Sequence, residues 1–306
     1  MLQQATCPTL VCMNSAAGSA SGLEEFFALL RDDPLVALLD LSQTADDLEP
    51  PLAKAVSEGR QRVVAAGGDG TVSSVASALY RIGARQMALA VLPLGSGNDF
   101  SRTLGMPLEA DEAWNALWPG QVGTLDLLEI ATENEKRLAV NMVTGGNTGA
   151  YMDALTDDIK QRWGAFCYLR GVVDVVRNLT TFEGRIHVDG QLIEGTEWLN
   201  LFVANGRYSG GGLLVSSQAS LDNGQFHAVL INEGQPTEIA SLAGQYLVGS
   251  FEEHSLVTSQ AGSELRLESS QLWPCTADGE TFEARELVIR VLSSALQVVH
   301  PNEPLA

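Results

Sequence analysis

The chain has 306 residues, 45% hydrophobic and 18% charged, which excludes a disordered polymer and suits two domains better than one. Thirty-eight acidic residues against 18 basic ones leave a net charge of −20. That balance excludes nucleic acid as a partner and disfavours firm electrostatic attachment to anionic lipid. No apolar run reaches the roughly 18–20 residues of a bilayer span, and the first residues lack the basic flank and apolar core of a leader. The four cysteines (Cys7, Cys12, Cys167, Cys275) form no C-x-x-C pair, so buried free thiols and a cytoplasmic location are expected.

From the start, three units repeat one order: an apolar run, a small-residue loop, then an apolar-periodic segment. They are PTLVCMNSAAGSASG with LEEFFALL, RVVAAGGDGT with VSSVASAL, and MALAVLPLGSGND with FSRTLGM. Strand, loop and helix in repetition predict a parallel sheet covered by helices. Val72, Val75, Ala76 and Leu79 fall on one helical face. After about Gly123 the pattern becomes strand-rich: TLDLLEI, RLAVNMV, RIHVDGQLI, WLNLFVANG, QFHAVLI, ELRLES, ELVIRVL and ALQVV. Asp189-Gly190 predicts a tight hairpin. WGAFCYLRGVVDVVRNL predicts one amphipathic helix, with Phe166, Leu169, Val173 and Val176 on a stripe that covers a sheet or meets lipid. The expected division is an α/β domain over 1–125 and a β-rich domain over 126–287.

In open α/β sheets ligands sit at the C-terminal ends of the strands. Glycines there permit close backbone approach and positive φ, and a helix N-terminus attracts phosphate. Gly67, Gly68, Gly70, Gly95 and Gly97 fit that role, with Ser96 adding a hydroxyl. None of the three lysines (Lys54, Lys136, Lys160) lies in a glycine loop, so a phosphate site must work without one. Asp69 is then a puzzle. A carboxylate about 4 Å from a phosphate oxygen is repelled by about 4 kcal/mol at an effective dielectric near 20. A divalent cation reverses the sign, and Mg²⁺ suits one or two carboxylates plus phosphate oxygens. Asp99 supplies the second carboxylate. The plainer reading is that Asp69 and Asp99 cap the helices that follow them.

Gly67-Gly68-Asp69-Gly70-Thr71 resembles the GGDGT signature of NAD kinases, phosphofructokinases and the diacylglycerol-kinase/sphingosine-kinase superfamily. Pro93-Leu94-Gly95-Ser96-Gly97-Asn98-Asp99-Phe100 and the following Ser101-Arg102-Thr103-Leu104-Gly105 resemble the PxGTGNDFAR-x-LG block of diacylglycerol-kinase-like bacterial lipid kinases. Further likenesses follow in order. Asn14 with Gly18 resembles an altered NPxSG loop, and VGTLDLLEI with Asp126 the strand into the second domain. Asn141, Gly145, Gly146 and Gly149 resemble a glycine turn. Arg207 to Gly212 and Ala219 to Gly224 resemble a late metal-linked block, and Asp278-Gly279-Glu280 the terminal DGE.

The resemblance implies an NAD-kinase/phosphofructokinase-like α/β domain, completed by about 288–306, and a sandwich-like second domain. It implies an ATP- and Mg²⁺-dependent kinase acting on a hydroxyl of a diacylglycerol-like or sphingoid lipid, met transiently at a membrane surface. Self-association as a homodimer stays open. The nucleotide would be held by Gly67, Gly68, Asp69, Gly70, Thr71, Val72 and Ser73, by Gly95, Ser96, Gly97 and Asn98, and by Asn14 and Ser42. Glu280 would be the general base, with Asp278 and Asp69 as further catalytic acids. Metal ligands would come from Asp69, Asp99, Ser220, Asp222, Asn223 and Gln225. One departure is Asn223, where the family block carries aspartate; an Asn-Gly turn is the plainer reading. Asp278-Gly279 is likewise an ordinary hairpin signal. A small-molecule kinase of the NAD-kinase type and a non-catalytic nucleotide-binding regulator are the alternatives.

Overall fold

The computed structural model describes residues 2–14, 23–43, 47–147, 179–247 and 250–301. The first part contains β1 (Thr9–Met13), α1 (Glu24–Arg31), β2 (Val36–Asp40), α2 (Glu49–Ser57), β3 (Arg62–Gly67), α3 (Asp69–Arg81), β4 (Ala88–Pro93), α4 (Asp99–Thr103) and α5 (Ala110–Leu117). The second contains β5 (Gln121–Thr132), β6 (Lys136–Ala139), β7 (Met142–Gly146), β8 (Phe182–Glu183), β9 (Arg185–Val188), β10 (Gln191–Leu192) and β11 (Glu197–Ala204). It continues with β12 (Tyr208–Ser209), β13 (Leu213–Leu214), β14 (Phe226–Asn232), α6 (Pro236–Leu247), β15 (Val257–Gly262), β16 (Glu264–Ala277) and β17 (Glu280–His300).

The strands β2, β1, β3 and β4 lie side by side and parallel. β3 and β4 are buried along their whole length, as expected for central strands covered on both faces. Val72, Val75, Ala76 and Leu79 of α3 are all at most 2% exposed, so the expected stripe is the face that packs on the sheet. β2, which the three-unit pattern does not contain, is the half-buried edge.

The second part is β-rich and largely antiparallel. A separate core fills it, with Trp198 and Trp273 fully enclosed. Asp189 and Gly190 have φ of 49° and 78° and turn the hairpin between β9 and β10. The runs ELVIRVL and ALQVV, expected as separate strands, belong to the single 21-residue β17. β17 pairs antiparallel with β16 and β5, and its end pairs in parallel with β4 through Gln297 and Val298. A break in register between Leu292 and Leu296, with Ser294 at φ 49°, lets one strand serve both parts. The amphipathic segment at 163–179 lies, but for its last residue, outside the described residues, as do Gly18 and Gly149.

Candidate active site

From β1 the chain turns to one side to make β2 and to the other to make β3 and β4. The topological switch point therefore lies between the C-terminal ends of β1 and β3, at Asn14 and Gly67. A cavity of about 680 Å³ opens there. Asn14, Gly70, Thr71 and Ser73 line it from the sheet edge and the start of α3. Glu280 and Arg137 line it from the β-rich part, and Leu41, Leu48 and Tyr80 are among its apolar walls.

Positive φ does not explain the glycines of the two motif loops: Gly67, Gly68, Gly70, Gly95 and Gly97 are absent from the left-handed positions. Close approach explains Gly67, Gly68, Gly95 and Gly97, whereas a Cβ on Gly70 would meet open space. A Cβ on Gly95 would stand 2.5 Å from the Gly68 Cα, and one on Gly67 would run into the Thr71 side chain. The residue that takes φ 53° is Asn98, whose amide closes its own loop. Its Oδ1 accepts from Gly95 N at 3.0 Å and its Nδ2 donates to Gly95 O at 2.8 Å.

The two aspartates cap neither of their own helices by side chain. Asp69 Oδ1 instead accepts the Phe100 N–H at 3.0 Å, tying the β3–α3 loop to the start of α4. Asp99 accepts the N–H groups of Gly211 and Gly212, at 3.1 and 2.6 Å, which ties α4 to the β-rich part. Burial pushes the Asp99 carboxyl above its ordinary proton affinity and the Asp69 charge adds to this, while the Gly211 and Gly212 N–H groups and Arg102 oppose it.

Asp278 and Gly279, at φ 46° and 92°, turn the hairpin that delivers Glu280. Asp278 Oδ2 accepts from Val140 N at 2.7 Å and Oδ1 from Asn141 N and Met142 N at 3.0 and 2.9 Å, and Ser73 adds a side-chain bond. Burial raises its proton affinity against those donors. Asp278, expected as a catalytic acid, forms the clasp that seats the hairpin beside α3. Glu280 is 76% exposed on its side chain and faces the cavity.

Residues 8–130 match the diacylglycerol kinase catalytic domain family. Residues 141–300 match the YegS C-terminal NAD kinase β-sandwich-like domain. A Pseudomonas aeruginosa relative named "Probable lipid kinase YegS-like" is 33% identical over 81% of this chain and 79% of its own length. A Xanthomonas oryzae relative of the same name is 28% identical over 95% of both. A solved structure titled as a diacylglycerol kinase from Bacillus anthracis superposes with a TM-score of 0.72 at 19% identity, over 99% of this chain and 100% of that one. The chain belongs to the diacylglycerol-kinase-like lipid kinase family.

In this family member the expected nucleotide and metal residues fall in several places. Val72 turns its side chain into the core and its N–H toward Gly68 O, so neither faces the cavity. Ser96 is exposed on its loop, outside the cavity lining. Ser42 bonds Asp40 through both its N–H and its hydroxyl. Ser220 and Asp222 line a different cavity, of about 240 Å³, with Thr103, Arg207 and His300 among the other walls. There Ser220 Oγ donates to Asp222 Oδ1 at 2.7 Å, and Asn223 Oδ1 accepts Gln225 N at 2.9 Å. The stretch from Ser220 to Gln225 is thus a self-bonded turn, while the Gly211-Gly212 part of the late block bonds Asp99.

Behind that turn lies a residue whose role the sequence left unstated. Asp126 is fully buried and accepts Gly224 N and Ser294 N at 2.6 and 2.7 Å. It joins the late turn to the bulge of β17. Arg137 was also missed, as was the bond to Asp99 from Gly211 and Gly212, which the sequence offered only as part of a late metal-linked block. Neither a lone arginine in a charged hairpin nor a glycine triplet signals its distant partner.

Proposed function

We propose that the chain is an ATP-dependent lipid kinase that transfers the γ-phosphoryl group to a hydroxyl of a diacylglycerol-like lipid. One observation carries the reading. A single cavity is lined on one side by the start of α3 (Gly70, Thr71 and Ser73) and on the other by Glu280. The first side suits the nucleotide phosphates, because glycine-lined backbone at a helix start offers N–H groups and positive potential. Glu280 takes the proton of the acceptor hydroxyl, whose oxygen bonds the γ-phosphorus as the bond to the β–γ bridging oxygen breaks and ADP leaves.

Mg²⁺ suits the donor set. Among the described residues no three His, Cys, Asp or Glu side chains gather into a complete metal site. Mg²⁺ does not need one, since it keeps waters and takes substrate phosphate oxygens beside one or two carboxylates. Asp69 and Asp99 are the carboxylates that would hold it: their Oδ2 atoms lie 3.1 and 3.5 Å from one point, where a Cβ on Gly97 would stand, next to and not among the walls of the 680 Å³ cavity. When bound, Mg²⁺ supplies the positive charge that lets these acids stand near phosphate. Asp69 Oδ1 meanwhile keeps the two loops in register through Phe100.

No helix among the described residues is long and apolar enough to cross a membrane. The lipid would be met transiently at a membrane surface, by apolar contact rather than charge, given the net charge of −20. The test is incubation with labelled ATP, Mg²⁺ and mixed lipid vesicles. Label should enter the organic phase with wild type and be absent with Asp69→Ala. A labelled product distinct from ATP that partitions into water would point to a small-molecule acceptor, and ATP binding without turnover on any acceptor would point to a regulator.

A further inference from the structure

Glu280 has little to hold it. It opens β17, and its side chain projects into the cavity mouth with no packing shell. A base that must meet a hydroxyl within hydrogen-bond reach needs a fixed direction. Among the described residues one side chain makes an ion pair with it: Arg137 Nη1 stands 3.6 Å from Glu280 Oε2.

Arg137 is itself pinned on two sides. Its Nε and Nη2 both point at Glu135 Oε1, at 2.8 and 2.7 Å. Its guanidinium lies over the Phe282 ring, 5.2 Å from the centroid. Residues two apart on a strand share a face, so Phe282 and Glu280 present adjacent positions on β17 to the same arginine. The planar fork is used up on Glu135, its face on Phe282, and the remaining Nη1 is left for Glu280. The other cations lining the cavity are engaged elsewhere: Arg81 pairs with Glu49 at 3.4 Å and Lys136 with Glu129 at 3.5 Å.

We propose that Arg137 is the positioning residue for Glu280, holding its carboxylate toward the acceptor from a guanidinium fixed by Glu135 and Phe282. The proposal rests on the reading of Glu280 as the proton acceptor. Arg137 acts through Glu280 alone, so its effect must vanish when Glu280 does.

The test is a double-mutant cycle on the full chain, with labelled ATP, Mg²⁺ and lipid vesicles. Glu280→Gln should lower kcat about 100-fold or more, the ordinary weight of a general base. Arg137→Gln should lower kcat about 10-fold, about 1.4 kcal/mol, with the KM for ATP changed less than about 2-fold. Arg137→Lys, which keeps the charge and loses the fork, should recover part of that loss. In the Glu280→Gln background Arg137→Gln should cost less than about 2-fold. An undiminished 10-fold loss in that background, or full kcat in Arg137→Gln alone, overturns the proposal. Glu135→Gln leaves Arg137 in place and loosens it, and a kcat loss of about 3-fold is expected; none would overturn the pinning should Arg137→Gln fail to fold. Wild-type kcat in Glu280→Gln would sink the base assignment and this proposal together. No lipid label with wild type would instead sink the kinase reading.

Discussion

In the β3–α3 loop Asp69 reaches across to Phe100 of the next loop and keeps company with a second, buried aspartate. In the turn after Ser220, Asp222 and Asn223 bond within three residues of chain, and both side chains are exposed to water. Both regions are written in glycine, aspartate and asparagine. The first sets a half-buried carboxylate beside a buried one, where a cation has something to gain; the second leaves its single charge hydrated. The same vocabulary is a candidate site in one place and a folded turn in the other. What separates them is where each oxygen is spent.

The strongest way to break this contrast is Asp69→Asn. It keeps an acceptor for the Phe100 N–H and removes the charge, so kcat for lipid phosphorylation should fall about 100-fold or more. Unfolding free energy measured in urea should stay within about 0.5 kcal/mol of wild type. Full activity in this variant would transfer the chemistry away from the loops.

Asp126→Ala should act the other way round, on stability. It strips two N–H groups, those of Gly224 and Ser294, of their buried acceptor. A loss of about 2–4 kcal/mol in urea unfolding is expected. A loss under about 0.5 kcal/mol would show that the late turn is seated by something else.

A third test uses pH. His227 is buried, with Nδ1 2.5 Å from Ser216 Oγ. Burial lowers its proton affinity below the ordinary histidine range, and Glu252 opposes this. A depressed folded value means that its stability contribution is complete above the unfolded value of about 6.5 and is lost as pH falls through the folded one. Thermal stability should therefore fall on acidification below about pH 6.5, with a shallower slope in His227→Gln. Equal slopes would remove His227 from the acid response.

The smallest expected effect is that of Asn223→Ala. Losing one turn bond should cost about 0.5–1.5 kcal/mol and leave the Mg²⁺ dependence of activity unchanged. A tenfold rise in the Mg²⁺ requirement, about 1.4 kcal/mol, would instead make the late turn a metal site.

The parallel sheet, the α3 stripe and the two hairpin turns were legible because local pattern determines them: apolar runs, helical spacing and Asp-Gly at the bend. The gathering of Asn14, the start of α3 and Glu280 on one cavity was legible only through the ordered motifs, since residues 73 and 280 have no local relation. Three things were hidden. Gly95 is small because Gly68 sits against it, a contact between loops that no single loop announces. Asp278 looks catalytic in a motif and is occupied by three backbone donors from the β6–β7 break. The break inside β17 at Ser294 reads as an interruption, because Ser293-Ser294 separates two apolar runs that the fold joins.

That shared strand has a consequence for how the polypeptide comes into being. β4 takes its second neighbour from Gln297 and Val298, about 200 residues further along. During synthesis the N-terminal sheet must wait with that flank bare until residues 297 and 298 have been made, and long-range closure of this kind is slow. A fragment ending near residue 125 would carry the same bare flank permanently and should seek another chain's strand to cover it.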